Sequence, residues 1–214
     1  ENFNHKMVYL DIHTEDFNIK KFKTKGILTL LYDQTEEMKL LHEIDFIRSH
    51  DIMTKLYNRN YFESYKFQLE KDYPNLGIIL IDVDGLKQFN DYLGHHAGDK
   101  LVKRFGVVLQ KLNQVYKDLL TIRFGGDEFL IVVKEADEEK LKGVVRFIRE
   151  RTTHHDPLEQ ISFSYGLALK NDQYPTFKEL LQCADKKMYL KKGSHKERKE
   201  ELIKALEAFV QINK

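Results

Sequence analysis

The stretch that most limits how this chain can fold covers residues 119–133 and reads LLTIRFGGDEFLIVV. Two apolar runs flank two glycines and two adjacent carboxylates, Asp127 and Glu128. Because glycine tolerates the positive φ angles that tight hairpin turns need, the pattern predicts two strands joined at Gly125-Gly126. A lone Gly-Gly-Asp-Glu is often an ordinary surface turn, so the function of the two acids depends on what else lies near them.

The rest of the chain alternates between strand-like and helix-like segments. Residues 76–84 (LGIILIDVD) form a near-continuous apolar run, which is typical of a strand buried on both faces. Residues 161–169 alternate large and small side chains, which predicts a strand with one face close to a neighbour. Helices are predicted over 58–73, 86–93, 97–116, 137–152, 176–192 and 196–212. The helix over 97–116 carries its apolar face at Leu101, Val102, Phe105, Val108, Leu109 and Leu112. The order βααββαβα predicts an α/β (α+β) fold, ferredoxin-like, with a sheet that contains antiparallel strands and is flanked by helices.

The first 50 residues have a different pattern. Residues 7–33 contain two β-rich runs, which predict a hairpin with its turn at Lys25-Gly26. Two strands alone are marginal in water, so the hairpin is interpreted either as the end of a larger sensory domain or as an edge that docks elsewhere. Leu40, Ile44 and Ile47 then lie on one face of a predicted helix. Two interpretations stay open for this helix: packing on its own domain, or parallel pairing with a second chain.

Composition excludes several classes of protein. With 35 basic and 34 acidic residues the net charge is +1, which gives no electrostatic reason to expect nucleic acid or an acidic membrane as a partner. The single cysteine, Cys183, is predicted on the buried face of a helix, and a reducing cytoplasm is the simplest location. No apolar run reaches the roughly 18–20 residues of a membrane span. The sequence begins with Glu1, so we treat it as a fragment and leave an upstream membrane tether open.

Asp82 is the residue that gives the two acids of the turn a chemical context. It lies at the end of the apolar strand GIILID (residues 77–82), where an unpaired charge would be costly to bury. If the strands of 119–133 neighbour this strand, then Asp82, Asp127 and Glu128 converge at one edge. Hard oxygen ligands suit Mg²⁺ or Mn²⁺, and Mg²⁺ usually completes its shell with water and substrate phosphates. The sequence therefore predicts a nucleoside triphosphate and metal-assisted phosphoryl or nucleotidyl transfer.

Residues 82–99 (DVDGLKQFNDYLGHHAGD) supply further polar groups. Lys87 can meet a phosphate, and Asn90 and Asp99 can contact a base. A carboxylate that accepts two hydrogen bonds matches the donor pair of guanine, so Asp99 would select guanine. Asp99 also suits the first turn of a helix, and for Asp84 we prefer the interpretation of a helix cap.

Several spaced motifs together resemble the GGDEF domain, the diguanylate cyclase family of bacteria. The signature at 125–129 is intact, and the run at 82–99 is similar to the Asp-x-Asp-x-x-Lys-x-x-Asn-Asp-x-x-Gly-His-x-x-Gly-Asp pattern of that family. DIMTKLYNR at 51–59, SFSYGLA and CADKKMYLKK resemble its first motif, last strand and last helix. The match covers 51 to about 192. GILTLLYDQTEEMKLL resembles the last strand and exit of a PAS sensory domain.

The resemblance implies a nucleotidyl-cyclase palm-like fold and a catalytic role for several residues. Mg²⁺ would be held by Asp82, by the backbone carbonyl of Val83 and by Asp127, with Glu128 supporting a second metal position. Asp127 is also the implied acceptor of the 3′-hydroxyl proton. Lys87 corresponds to the phosphate contact that stabilises the transition state.

The same resemblance implies substrate contacts. Asn90 and Asp99 correspond to the residues that read guanine, and His95 to a further substrate contact. Lys192 matches a lysine that reaches the triphosphate. Lys196 falls near an arginine of the family, but GSHKER replaces the usual Gly-Arg-Asn ending here.

The implied activity is condensation of two GTP to cyclic di-GMP with release of two pyrophosphates, by two sites that face each other in a homodimer. The alternatives are a silent GTP-binding or protein-interaction module and, against the guanine selectivity of Asp99, a mixed purine dinucleotide as product.

The implied domains are the end of a PAS-like domain (1–33), a signalling helix (34–50), the catalytic domain (51–196) and a C-terminal helix (197–214). The inhibitory Arg-x-x-Asp site of many family members is absent around Asp118, so we predict weak product inhibition.

Overall fold

The chain divides into two compact units, Glu1–Arg48 and Ser49–Lys214. A computed structural model describes residues 7–19, 24–192 and 196–212. Within these ranges, none of the helices combines the length and the apolar character that crossing a bilayer requires.

The first unit is a β-hairpin followed by a helix. Strands β1 (Leu10–Ile19) and β2 (Thr24–Asp33) pair antiparallel, which confirms the predicted hairpin. The predicted turn position is wrong, because Lys25 and Gly26 lie inside β2 opposite Asn18 and Phe17. The strands are joined through residues 20–23, which lie outside the described residues.

Helix α1 (Thr35–Ser49) follows the hairpin directly. The amide of Thr35 donates to Asp33 Oδ1 at 2.9 Å, and the Thr35 hydroxyl accepts from the amide of Tyr9 at 3.0 Å. The predicted apolar stripe is exposed in the single chain, with exposed fractions of 59, 59 and 45% for Leu40, Ile44 and Ile47. Within the described residues, about half of each of these three side chains is thus in contact with water.

The second unit contains a five-stranded mixed sheet with helices on both faces. Its elements are β3 (Tyr57–Asn58), α2 (Arg59–Asp72), β4 (Gly77–Val83), α3 (Leu86–Leu93), α4 (His95–Val115), β5 (Leu119–Arg123), β6 (Glu128–Val133), α5 (Glu138–Thr152), β7 (Phe163–Leu169), α6 (Phe177–Lys192) and α7 (Lys196–Ile212). The sheet order is β3-β5-β6-β4-β7, in which β3 and β5 are parallel and the other pairs antiparallel. The predicted mixed α/β class and the order of elements from β4 to α6 are confirmed.

Strand β4 lies at the centre of the core, and its seven residues are all buried. Ile79, Ile81 and Val83 pack into one apolar cluster with α4 and α5, and Ile78 and Leu80 pack into a second cluster with α2 and α6. This alternation follows from the two-residue period of a strand. The six apolar residues predicted for one face of α4 are also all buried.

Strand β7 packs very closely against α6. A Cβ placed on Gly166 would lie 1.8 Å from the carbonyl oxygen of Ala184, so only glycine fits at this position. The predicted close approach on one face of this strand is confirmed. Cys183 lies in the same helix and is buried, as expected from the sequence.

Candidate active site

The carboxylates of β4 and of the turn between β5 and β6 lie at one edge of the sheet. Asp82 pairs in register with Glu128, and the amide of Val83 donates to the carbonyl oxygen of Asp127 at 2.9 Å. The side chain of Asp82 is nearly buried, with 6% of the residue exposed. Its Oδ2 accepts a hydrogen bond from Nζ of Lys192, the last residue of α6, at 2.7 Å. Sheet pairing and the end of α6 thus bring together residues far apart in the sequence.

The electrostatics of Asp82 indicate a site that needs a cation. Burial raises the pKa of Asp82 above its ordinary value, and the charges of Asp127 and Asp84 raise it further, against the opposing effect of Lys192. For Lys192, burial would lower the pKa, but Asp82 and its neighbouring carboxylates outweigh burial and raise it. The ammonium group of Lys192 therefore supplies the positive charge that ionised Asp82 requires.

The turn that carries the signature is wider than the sequence predicts. The amides of Phe124 and Gly125 both donate to the carbonyl oxygen of Glu128, at 2.8 and 3.1 Å. The prediction that Gly125 and Gly126 adopt positive φ angles is wrong, because the glycines with positive φ in the described residues are Gly85 and Gly94. A turn of four residues does not need the mirror-image geometry of a two-residue turn. A Cβ on Gly126 would meet no atom within 4 Å, so the turn is open on that side.

Arg123 holds this turn against the motif at residues 51–59. Its guanidinium contacts Asp51 Oδ2 at 3.1 Å and donates to the carbonyl groups of Gly125 at 3.2 Å and Gly126 at 2.8 Å. Asp51 Oδ1 also accepts from the amide and the hydroxyl of Thr54, at 2.8 and 2.7 Å. Burial alone would raise the pKa of Asp51, but the hydrogen bonds from Thr54 and the charge of Arg123 outweigh it and lower the pKa. The motif at residues 51–59 is recognisable in the sequence, but its pairing with Arg123 is not.

The prediction that Asp84 caps α3 is wrong. The N-cap residue is Gly85, which has φ 86 and no side-chain capping bond. Asp84 instead accepts a hydrogen bond from Ser164 Oγ at 2.9 Å, and its amide donates to the carbonyl oxygen of Ser162. The side chain is thus directed to β7, the neighbour of β4 in the sheet.

The two residues assigned to guanine, and the residue assigned to a further substrate contact, lie around the junction of α3 and α4. Asn90 is in α3, His95 is the exposed first residue of α4, and Asp99 follows one turn later. A Cβ on Gly98 would lie 2.1 Å from Asn90 Oδ1, so the Asn90 side chain reaches α4 beside Asp99. The fold therefore places Asn90 and Asp99 on adjoining helices, as a shared base contact would require.

A cavity of about 530 Å³ connects the remaining candidates. The predicted residues that line it are Asp82, Val83, Lys87, Asp127 and Lys192. Glu128 is not in the lining, and its carboxylate lies beside Gly125. The side chain of Lys196 lies outside the described residues. Helix α7, which was not predicted to contribute, adds four residues to the wall: Arg198, Lys199, Glu201 and Leu202.

The donor atoms at the sheet edge fit a hard divalent cation. Within the described ranges, no group of three or more acidic, histidine or cysteine side chains is arranged to hold a metal ion. Asp82 and Asp127 nevertheless interact electrostatically, and a cationic group already contacts Asp82. Mg²⁺ commonly takes one or two carboxylates and completes its shell with water and phosphate oxygens, so this oxygen-only pair suits Mg²⁺ better than a soft metal.

Asp118, at the position where the sequence lacks an Arg-x-x-Asp site, is paired within the chain. Its carboxylate accepts a hydrogen bond from Nζ of Lys140, which also donates to the carbonyl oxygen of Glu135 at 2.6 Å. Weak product inhibition through this segment stays a prediction.

Comparison with known proteins connects this geometry to one family. The family model described as "Diguanylate cyclase, GGDEF domain" matches residues 48–198. Diguanylate cyclase DosC of Escherichia coli strain K12 is 31% identical over 191 residues, which cover 81% of this chain and 38% of DosC. The chain thus spans well under half of that curated relative.

Two solved structures have a similar fold. The coiled coil and GGDEF domain of DgcB from Caulobacter crescentus, in complex with c-di-GMP, has a TM-score of 0.65 at 20% identity, covering 74% of this chain and 88% of that one. A sensory box/GGDEF family protein from Caulobacter crescentus CB15 has a TM-score of 0.56 at 30% identity, covering 68% of this chain and 99% of that one. The similarity to DgcB supports the fold, and the protein from strain CB15 is similar to this chain in sequence as well as in fold.

Proposed function

The chain belongs to the GGDEF domain family of diguanylate cyclases, and from that premise we propose that it condenses two molecules of GTP to cyclic di-GMP with release of two pyrophosphates. The observation that carries the proposal is the buried carboxylate of Asp82 beside Asp127, in a cavity that Lys87 and Lys192 also line. This arrangement combines acceptors for a metal with cations for phosphate groups in one space.

The reaction has the 3′-hydroxyl of one GTP attack the α-phosphorus of the other, after which pyrophosphate leaves; a second attack closes the ring. Asp127 accepts the proton of the attacking hydroxyl. Lys87, exposed in the first turn of α3, contacts the phosphates and stabilises the charge that develops on them. Lys192 contacts the triphosphate, for which its ammonium group leaves Asp82.

Asp82, the carbonyl of Val83, Asp127 and Glu128 are the proposed ligands of Mg²⁺, with Mn²⁺ as a substitute. Bound there, the metal would supply positive charge to the phosphate oxygens and so increase the electrophilicity of phosphorus. Asn90 and Asp99 select guanine, and His95 makes a further substrate contact.

Because each site binds one GTP, two copies of the chain must face each other, and proximity provides much of the rate enhancement. We propose that α1 brings the copies together and that residues 1–33 are the end of a PAS-like sensory domain upstream of it. In this scheme residues 51–196 form the catalytic domain, in the cytoplasm, and 197–214 a C-terminal helix.

The activity is tested by incubating a dimeric preparation with GTP and Mg²⁺ and analysing the products by chromatography. Cyclic di-GMP is expected from the wild-type chain, and Asp127→Ala is expected to abolish it. Asp185→Asn is the matched control, because Asp185 is an exposed acid of α6 that does not line the cavity. Absence of cyclic dinucleotide from the wild-type dimer would refute the cyclase assignment.

A silent GTP-binding module is the second candidate, and the Lys192 contact with Asp82 favours it. The ammonium group of Lys192 donates a hydrogen bond to Asp82 Oδ2, an oxygen that the proposed metal would also bind. If the contact persists with nucleotide bound, the chain binds GTP without turnover. Calorimetric titration with GTP and Mg²⁺, run beside product analysis, separates a binder from an enzyme.

A further inference from the structure

Helix α7 is anchored to the second unit by both apolar and polar contacts. Leu206 is fully buried in the apolar cluster that also contains Phe89 of α3. On the same helix, Glu207 Oε1 accepts a hydrogen bond from the hydroxyl of Tyr92 at 3.1 Å. Two adjacent residues near the middle of α7 therefore hold this helix against the second unit, and one of them contacts α3.

The anchored helix packs against the loop that follows β4. A Cβ on Gly85 would lie 2.6 Å from Leu202 Cδ2, so the glycine leaves the space that the leucine fills. This loop joins Asp82 to Lys87 and forms part of the cavity wall. Packing of Leu202 thus fixes the first turn of α7 beside the proposed metal and phosphate residues.

The first turn of α7 adds two cations to the cavity. Arg198 and Lys199 both line it, together with Lys87 and Lys192. In the part of the chain that the structure describes, neither Arg198 nor Lys199 forms an ion pair, whereas Lys192 contacts Asp82. The carboxylates that face the same space are Asp82, Asp84, Asp127 and Glu201.

The ligand that matches this set of charges carries several negative groups close together. Asp82 and Asp127 would hold a metal, and the cations of α7 line the same cavity, where they would meet phosphate oxygens. Arginine is well suited to this, because its planar guanidinium can donate two hydrogen bonds to one phosphate.

We propose that α7 is part of the substrate site and that Arg198 and Lys199 bind the phosphate chain of the nucleotide, held in place by Leu202 and Leu206. The inference rests on the proposed function, since it assumes a guanine nucleoside triphosphate in this cavity.

The test measures nucleotide affinity by calorimetry, with the non-reacting analogue guanosine 5′-(α,β-methylene)triphosphate and with GMP, each with Mg²⁺. The double variant Arg198→Ala/Lys199→Ala is expected to bind the triphosphate analogue roughly tenfold more weakly or worse, and GMP with nearly unchanged affinity. Lys204→Ala is the matched control, because Lys204 is an exposed cation of α7 that does not line the cavity. Arg198→Lys is expected to recover part of the affinity.

Two results would overturn the inference while leaving the cyclase assignment intact. One is unchanged affinity of the double variant for the triphosphate analogue. The other is an equal loss for the analogue and for GMP, which would mean that α7 supports the site without contacting phosphates. If the wild-type chain bound neither nucleotide, the proposed function itself would fail, and the inference with it.

Discussion

Arg123 joins two parts of the second unit that are 72 residues apart in the sequence. One side of its guanidinium contacts Asp51, and the other holds the carbonyl groups of Gly125 and Gly126. Asp51 comes shortly after the end of α1 in the sequence, and Gly125 and Gly126 belong to the turn that carries Asp127. Arg123 therefore holds the turn that carries Asp127 against the segment at Asp51 within the second unit.

The contribution of Asp51 to stability should depend on pH. Its pKa is lowered in the folded chain, so the ionised form is favoured by folding. That stabilisation is complete above the ordinary Asp pKa of about 4 and is lost as the pH falls through the lower folded value. Asp51→Asn is expected to lower the free energy of unfolding by about 1–3 kcal/mol at pH 7, because hydrogen bonds to a charged group are lost. Urea unfolding between pH 7 and pH 3 measures this difference.

Asp72→Asn is the control for this experiment, since Asp72 is an exposed acid whose hydrogen-bond partner among the described residues is Gln68. Its effect should stay within about 0.5 kcal/mol at every pH. A deficit of Asp51→Asn that is as large at pH 3 as at pH 7 would contradict the role of the charge.

At the scale of elements, the sequence predicts periodic segments best. The bounds of α3 and α7 agree with the predicted segments, because apolar spacing and turn residues mark where a helix begins and ends. β3 was missed because two residues carry no periodic signal. The glycine turn was assigned the wrong geometry because its width depends on how β5 and β6 pair, which is a tertiary property.

The closest packing between elements gives a second prediction. Gly166→Ala must move α6 away from β7, because the added Cβ would lie 1.8 Å from the carbonyl oxygen of Ala184. We expect a loss of about 1–3 kcal/mol or more in the free energy of unfolding. Lys192, at the end of α6, should shift as well, which would weaken its contact with Asp82.

Gly143→Ala provides the matched control, because Gly143 lies inside α5 and the nearest atom to its Cβ position is 4.0 Å away. The same substitution there should stabilise the chain by about 0.5–1 kcal/mol through helix propensity. Thermal unfolding of both variants tests the pair, and a Gly166→Ala chain as stable as wild type would show that the packing is looser than the structure indicates.

For the whole molecule, the sequence predicts the catalytic fold more completely than the site. The proximity of Asp82 and Asp127 could be predicted from the sequence, because Asp82 lies at the end of one recognisable strand and Asp127 lies directly before another. The position of Arg198 and Lys199 at the cavity could not be predicted, since the contact of α7 with the loop after β4 depends on tertiary packing of Leu202 and Leu206. Residues that approach a site from a later helix carry no local signal of that position.

The exposed stripe of α1 gives a prediction about two copies of the chain. Ile44 is 59% exposed in the single chain, and pairing of two α1 helices would remove it from water. Ile44→Glu should weaken the dimer roughly tenfold or more, because an apolar contact is replaced by two like charges. For Ile44→Glu, the specific rate of cyclic di-GMP formation should then be low in dilute solution and recover at high protein concentration. Glu43→Gln is the control, because Glu43 is an exposed polar neighbour, and this variant should behave as wild type. Sedimentation velocity beside rate measurements over a range of protein concentrations checks this, and a specific rate that is independent of concentration in both variants would rule out α1 as the element that joins the copies.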